Sequence, residues 1–291
     1  MLDHDSGEPA RTGERKPVIV GIGASAGGIR ALQAFFSALS ETSGDETGAA
    51  FVVIVHLDPM ARSELAAILA ARTRMPVSQV VGTESLQPNH VYVIPPDRRL
   101  QLSDHEISTA EFDEPRGRRA PIDLFFRSLA EQHGEGFAVI LSGAGSDGAI
   151  GVRDLKEAGG ITLVQDPAEA EYPSMPRSAI ATGIADLVLP VRDLAARLVP
   201  LIESRRSTEA GDEEIDEELV RRVLAHVRVR TGHDFSRYKR STVQRRILRR
   251  LQVTRSNDLN GYYEHLRENG GSLSRLWLAN RTMSRSSRRT R

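Results

Sequence analysis

Three residues of the 291-residue chain combine the types and the placement needed for acyl-transfer chemistry: Ser25, His56 and Asp147. Each stands just beyond an apolar run, where a buried strand would end. Serine supplies an oxygen nucleophile, histidine takes its proton, and a carboxylate orients the imidazole and stabilises its cation. Ser25 lies in the pattern Gly23-x-Ser25-x-Gly27, the spacing of a nucleophile elbow. The small neighbours let the backbone bend sharply, presenting the hydroxyl above a helix N-terminus. Gly143-Ala144-Gly145, close to Asp147, offers backbone N–H donors for an oxyanion. The same first stretch also fits a dinucleotide turn, Gly21-x-Gly23 followed by Gly27 and Gly28. That reading asks for an acidic residue about 20 positions on, at the end of the second strand, to bind ribose. His56 stands there instead, with Asp58 two residues further.

Each residue taken singly has a plainer role. A serine in a glycine-rich turn is more often a helix cap, and Asp147 can cap a helix starting at Gly148. A lone histidine at a strand end is usually structural or solvated. The coincidence of all three at strand ends favours the catalytic reading. His90, His105 and His133 fall at loop-like positions and are weaker candidates for a base. No His-x-x-x-His or clustered carboxylate spacing points to a metal, and the chemistry calls for no cofactor.

The elements that would position these residues alternate between strand and helix. Val18-Ile-Val20 opens a strand followed by a helix over Ile29–Leu39, and Phe51–Val55 is a continuous apolar strand ended by Pro59. A helix from Ser63 to Arg72 and a strand over Val77–Val81 come next. Val91–Ile94, Leu100–Leu102 and Glu106–Phe112 read as an antiparallel meander or hairpin appended to the main sheet. Pro121 starts a helix to Gln132, Phe137–Leu141 is a buried strand, and Ala149–Ala158 is a helix closed by Gly159-Gly160. Ile161–Gln165 and Leu187–Leu189 are further strands, and Arg192–Ile202 is a closing helix. The pattern predicts an α/β fold: a doubly wound, mostly parallel sheet with helices on both faces and an antiparallel hairpin, plus a small α-helical C-terminal segment.

Composition sets the outer bounds. Hydrophobic residues make up 40% and charged residues 27%, ordinary for a globular chain. There is no cysteine, which excludes disulfides, thiolate catalysis and cysteine-based zinc sites. No apolar run approaches the roughly 20 residues of a membrane span, so membrane insertion is not expected. Residues 1–16 are polar, lack a signal-peptide core and read as a disordered lead, which favours a cytoplasmic setting. The zero net charge conceals a balance of −9 over residues 1–200 and +9 over the remainder, which suggests two modules with different partners.

Five separated motifs carry a resemblance: Gly21-Ile-Gly-Ala-Ser-Ala-Gly-Gly28, Val55-His-Leu-Asp-Pro59, Val91-Tyr-Val-Ile-Pro-Pro96, Leu141-Ser-Gly-Ala-Gly-Ser-Asp-Gly148 and Tyr172-Pro-Ser-Met-Pro-Arg-Ser-Ala179. From about Pro17 to Leu198 the chain resembles the catalytic domain of the chemotaxis protein-glutamate methylesterases, the CheB family. The resemblance implies hydrolysis of glutamate methyl esters on methylated chemoreceptor-like proteins, and deamidation of specific receptor glutamines. It implies Ser25 as nucleophile, His56 as base and Asp147 as the triad carboxylate, with the backbone N–H groups of Ala26 and Ala144 at the oxyanion. Many relatives have Met where this chain has Ala144, and a hydroxyl residue where it has Ala26. The backbone donors survive both changes, while one side-chain hydrogen bond near the nucleophile is lost. The phosphoacceptor receiver domain usual in the family is not expected within this chain.

The last third divides differently. With 17–200 as the catalytic domain, 201–218 reads as an acidic linker, 219–269 as a partial helical domain and 270–291 as a disordered Ser/Arg-rich tail. Val243, Ile247, Leu248 and Leu251 recur at helical spacing, with Arg245, Arg246, Arg249 and Arg250 between them. A solvated basic face is the usual outcome of such a run, and nucleic-acid binding is the less favoured reading. The stretch resembles the start of the helical N-terminal domain of chemotaxis receptor methyltransferases, the CheR family. This implies that the four arginines are receptor-docking candidates, as in fusions of the two families. Methyltransferase activity is not expected. Two other functions stay open at this level: a catalytically weak receptor-docking module with the basic helix as a second element, and a dinucleotide-binding module.

Overall fold

Apolar strands with glycines set into them organise the architecture. The computed structural model describes residues 16–56, 63–115, 117–133, 136–209, 217–231 and 259–268, together with Ile247, Leu251, Thr254 and Ser256. The strands β1 (Val18–Ala24) and β2 (Ala49–Val55) are buried at every position, as are β8 (Phe137–Ile140) and β9 (Ile161–Gln165). Strands covered on both faces read as unbroken apolar runs, and this is why the sequence displays them so plainly. With β3 (Val77–Gln79), β5 (His90–Val93) and β10 (Leu187–Leu189) they form a seven-stranded sheet in the order β10-β9-β8-β1-β2-β5-β3. Every neighbouring pair in it is parallel.

From β1 the chain moves out through β2 to the edge strand β3, comes back to place β5 between them, and then crosses to β8 on the other side of β1. The order therefore reverses at β1, and the crevice at such a switch point is where open parallel sheets place their sites. Ala24 pairs with Val55, and Gly23 with Ile140, so the carboxyl ends of β1, β2 and β8 lie side by side.

Helices cover both faces. The helix α1 (Gly28–Ser43) buries Leu32, Phe35, Phe36 and Leu39 at i, i+3, i+4, i+7 spacing and ends at Gly44 in left-handed geometry. It packs with α6 (Val191–Glu209). On the opposite face α3 (Pro121–Gln132) packs with α4 (Ala149–Ala158). Alternate residues of β1 separate the two layers. A Cβ on Gly28 of α1 would lie 2.8 Å from that of Ala24. On the other face, one on Gly21 would lie 2.7 Å from the rings of Phe125 and Phe126, and one on Gly23 2.5 Å from Ile122 Cγ2. The glycines of the first motif thus bring α3 against the central strand. Gly23→Val is expected to destabilise the chain by about 3 kcal/mol through overpacking. The measurement is the urea midpoint, and an unchanged midpoint would contradict this account of Gly23.

The structure corrects the meander. β5 is not part of it; it is an inner strand of the main sheet, parallel to β2 and β3. The antiparallel element is a separate three-stranded sheet of β4 (Thr83–Ser85), β7 (Glu106–Ala110) and β6 (Arg99–Ser103), in that order. Its buried Leu100, Leu102 and Ile107 join the main core, and the Leu102 amide donates to Ser128 Oγ of α3 at 3.2 Å. Two short helices complete the unit, α2 (Leu65–Ala70) and α5 (Ser174–Ala181), the second of which the sequence reading did not assign. The helix expected over Arg192–Ile202 continues to Glu209, with Leu201 and Ile202 buried in the same core.

A second apolar cluster joins α7 (Glu217–Thr231) to α8 (Leu259–Glu268). Val220, Val223 and Val227 meet Leu259, Tyr262 and Leu266, with Ile247 buried among them and Leu251 packed alongside. Among the described residues, no helix is long and apolar enough to cross a membrane.

The rings of His105 and His133 lie against each other, tilted by 48°, with centroids 4.5 Å apart. Burial lowers the pKa of both, helped by the charge of Lys16 and, for His133, by His105 itself. Asp104 opposes the shift in each case. Burial lowers His90 as well. A histidine whose pKa is lowered by folding takes its proton more readily in the unfolded chain. Stability is therefore complete above the ordinary histidine pKa, about 6.5, and is lost as pH falls through that value toward the folded ones. The thermal midpoint should drop between about pH 7.5 and pH 5.5, and His105→Gln with His133→Gln should flatten that dependence. An unaltered slope in the double variant would contradict this assignment.

Candidate functional site

The turn after β1 is built from backbone geometry. Gly27 has φ 68°, a left-handed conformation that glycine adopts without strain, and the Gly28 amide donates to Ser25 O at 2.8 Å. A Cβ on Gly27 would lie 2.8 Å from Ser142 Oγ, so glycine here also admits the neighbouring loop. The Ser25 amide donates to Ser142 O at 3.0 Å. Ser142 Oγ donates to Ala26 O at 2.9 Å and accepts from the Tyr172 amide at 3.0 Å. The Ser142 amide donates to Gln165 Oε1 at 2.8 Å, and Gln165 is held by Glu169 Oε2 at 2.9 Å. Ser142 is 1% exposed and ties the turn to the ends of β8 and β9. The sequence reading missed Ser142, Gln165 and Glu169; the only signal was a polar residue closing each of two apolar runs, Phe137–Leu141 and Ile161–Val164.

His56 and Asp147, 91 residues apart, meet. His56 Nε2 is 2.8 Å from Asp147 Oδ2, with the Asp147 side chain 9% exposed and that of His56 40%. An ionised carboxylate only accepts, so Nε2 carries the hydrogen and Nδ1 keeps its lone pair. Asp147 is itself fixed by two amides at the start of α3, Ile122 N at 3.1 Å to Oδ2 and Asp123 N at 2.9 Å to Oδ1. The plainer reading of Asp147 is a cap on the helix starting at Gly148, but it caps α3 instead. The cap of α4 comes from Asp123, whose Oδ1 accepts from Ile150 N at 2.9 Å and Gly151 N at 2.7 Å. Burial raises the pKa of Asp123, and the charge of Asp147 adds to this against the hydrogen bonds from Gly151, Ile150 and Gly148.

Ser25 stands one residue past Ala24 and His56 one past Val55, the registered ends of adjacent strands. Among the described residues no hydrogen bond joins the Ser25 hydroxyl to His56. The amides of Ala26 and Ala144 likewise donate to no acceptor among the described residues. Gly143 N is engaged with Tyr172 O at 2.9 Å, which removes it from the donors that the glycine-rich loop offered. A Cβ on Gly143 would fall 2.0 Å from Met175 Sδ, so the Tyr172–Met175 segment backs this loop closely. His56 also lines a cleft with Ile94, Pro95, Phe112, Arg119 and Pro121. Arg245, Arg246, Arg249 and Arg250 lie outside the described residues. No group of three or more metal-ligating side chains occurs among the described residues. The dinucleotide reading loses its basis, since Gly21 and Gly23 are occupied by the approach of α3.

Comparison with known proteins places these residues in context. The family model described as CheB methylesterase matches residues 20–198, and that described as the all-alpha domain of CheR methyltransferase matches residues 218–279. The second match runs into the stretch read as a disordered tail, which lies outside the described residues. A 104.1 kDa protein of Rhodobacter capsulatus is 34% identical over 240 residues, covering 73% of this chain and 25% of that protein. A protein-glutamate methylesterase/protein-glutamine glutaminase of Photorhabdus laumondii is 31% identical over 191 residues, 64% of this chain and 53% of its own length. The chain thus spans about half the length of the curated methylesterases it matches. The crystal structure of the Thermotoga maritima CheB methylesterase catalytic domain superposes with a TM-score of 0.58 at 29% identity, covering 64% of this chain and 100% of that one.

Proposed function

This chain belongs to the CheB methylesterase family, and from that premise we propose that it is a serine hydrolase acting on glutamate methyl esters of chemoreceptor-like signalling proteins. The observation that carries the reading is the His56–Asp147 bond at 2.8 Å, anchored by two α3 amides beside the end of β1. Ser25 Oγ attacks the ester carbonyl while His56 Nδ1 takes its proton. The resulting oxyanion is held by the amides of Ala26 and Ala144. Collapse of the tetrahedral species breaks the bond to the methoxy oxygen, which leaves as methanol with the proton from His56. Water then attacks the acyl-enzyme, gives a proton to His56 and releases the glutamate carboxyl group with Ser25 restored. With a glutamine side chain, ammonia leaves in place of methanol, which is deamidation.

Apo geometry often leaves catalytic hydrogen bonds long, and the Ser25–His56 contact would close only with substrate bound. No organic cofactor or metal enters the scheme. The division into a catalytic domain over 17–200 and a helical domain over 219–269 belongs to the same proposal. So do action in bacterial chemosensory adaptation, a cytoplasmic setting, and receptor docking by the arginine-rich stretch. The test is hydrolysis of a methylated receptor cytoplasmic fragment in heavy-oxygen water. Acyl transfer puts the heavy oxygen into the glutamate carboxyl and leaves methanol unlabelled. Labelled methanol would overturn the mechanism, and binding without release would favour the docking module.

A further inference from the structure

Asp123 is a buried carboxylate, 8% exposed, that takes no part in the scheme above. It stands in the first turn of α3, where its amide donates to Asp147 Oδ1 at 2.9 Å. Its own side chain reaches the other way, with Oδ1 2.9 Å from Ile150 N and 2.7 Å from Gly151 N in the first turn of α4. The caps are therefore exchanged: Asp147, two residues before α4, caps α3, and Asp123 of α3 caps α4. The approach is close enough that a Cβ on Gly151 would lie 2.7 Å from Asp123 O. The loop that this arrangement pins, Leu141–Gly148, also carries Ala144.

We propose that Asp123 is a positioning residue for the reaction: its carboxylate fixes the N-terminus of α4, and through it the placement of Asp147 against His56 and of the Ala144 amide. An ordinary helix cap would affect stability alone. Here the capped helix start is continuous with the residue that orients the base, so loss of the cap displaces reacting groups. A misplacement of about 1 Å at such a site can lower a rate by roughly 100-fold.

The inference rests on the serine-hydrolase reading, so two readouts are paired. One is kcat and KM for methanol release from a methylated receptor fragment; the other is the rate at which a fluorophosphonate probe labels Ser25, which needs no receptor. Both are taken well below the unfolding midpoint of each variant. Asp123→Ala should lower kcat by about 30-fold with KM changed by less than about twofold, and slow labelling by a similar factor. Asp123→Asn keeps an oxygen acceptor for Ile150 and Gly151 and should stay within about threefold of wild type on both readouts. Wild-type rates in Asp123→Ala would overturn the proposal. So would an Asp123→Asn variant as slow as Asp123→Ala, since charge rather than the cap would then matter. If Asp123→Ala does not fold, Asp123→Ser, with one short acceptor, takes its place: slower labelling than in Asp123→Asn supports the role, and a rate equal to wild type overturns it. If wild-type protein labels at Ser25 yet releases no methanol, the substrate reading fails and labelling alone decides the role of Asp123. If wild type neither labels nor releases methanol, both readings fall.

Discussion

Ser25→Ala is expected to lower methanol release by about 10⁴-fold or more while leaving stability within about 0.5 kcal/mol of wild type. The two halves of this expectation have separate physical origins. Ser25 is the only side chain in the scheme that bonds covalently to the substrate, and among the described residues no other side-chain nucleophile follows β1 directly. What rate remains without it comes from the oxyanion donors and binding. Stability is spared because the turn is held by backbone bonds, Ser25 N to Ser142 O at 3.0 Å and Gly28 N to Ser25 O at 2.8 Å, which alanine retains. The hydroxyl itself has no partner among the described residues. A large fall in the thermal midpoint would show that Ser25 is a structural cap. Activity that persisted in a folded variant would show that another residue is the nucleophile.

Asp147→Asn is expected to lower kcat by about 10⁴-fold, through the tautomer of His56 and not through loss of packing. The carboxylate accepts from His56 Nε2 at 2.8 Å and from two α3 amides. With its oxygen kept on the Asp123 amide, the asparagine presents its NH₂ to His56 and to Ile122 N. The imidazole then has to turn Nε2 into an acceptor and carry its hydrogen on Nδ1, the nitrogen the mechanism needs as base. With the amide turned the other way, the NH₂ faces the Asp123 N–H, and one α3 donor loses its acceptor. Neither orientation satisfies all three partners, and the fall of about 10⁴-fold belongs to the first, in which His56 is reversed. The accompanying destabilisation should be about 1 kcal/mol, the size of one helix cap, measured by denaturant unfolding. A kcat within tenfold of wild type would contradict the role of Asp147.

The three residues stood out in the sequence because of what precedes them. Val18–Ala24, Ala49–Val55 and Phe137–Ile140 are buried on both faces, so their apolar runs are unbroken and their ends unmistakable. The helix that Asp147 caps was not legible. Local chemistry points an aspartate at the helix that follows it, and nothing in the spacing relates it to an α3 amide 25 residues upstream. The same holds for Asp123, which lies in the first turn of α3, where a carboxylate ordinarily complements its own helix, and in fact caps α4. Ser142 looked like one more small residue in a glycine-rich loop; its role depends on Tyr172 and Ala26 converging on it. β5 was grouped with the strands after it because Pro95-Pro96 suggested a hairpin, although its apolar run was that of an inner parallel strand. α5 escaped because Pro173 and Pro176 flank its start, where proline is tolerated in the first turn but reads as a breaker.

The central claim is that this chain hydrolyses glutamyl methyl esters with Ser25. Its most direct test is methanol release by the purified chain from methylated receptor cytoplasmic fragments, run beside Ser25→Ala. The account predicts steady, multiple-turnover release by the wild-type chain and none above background from the variant. Fragments that bind the wild-type chain yet keep all their methyl groups would contradict it.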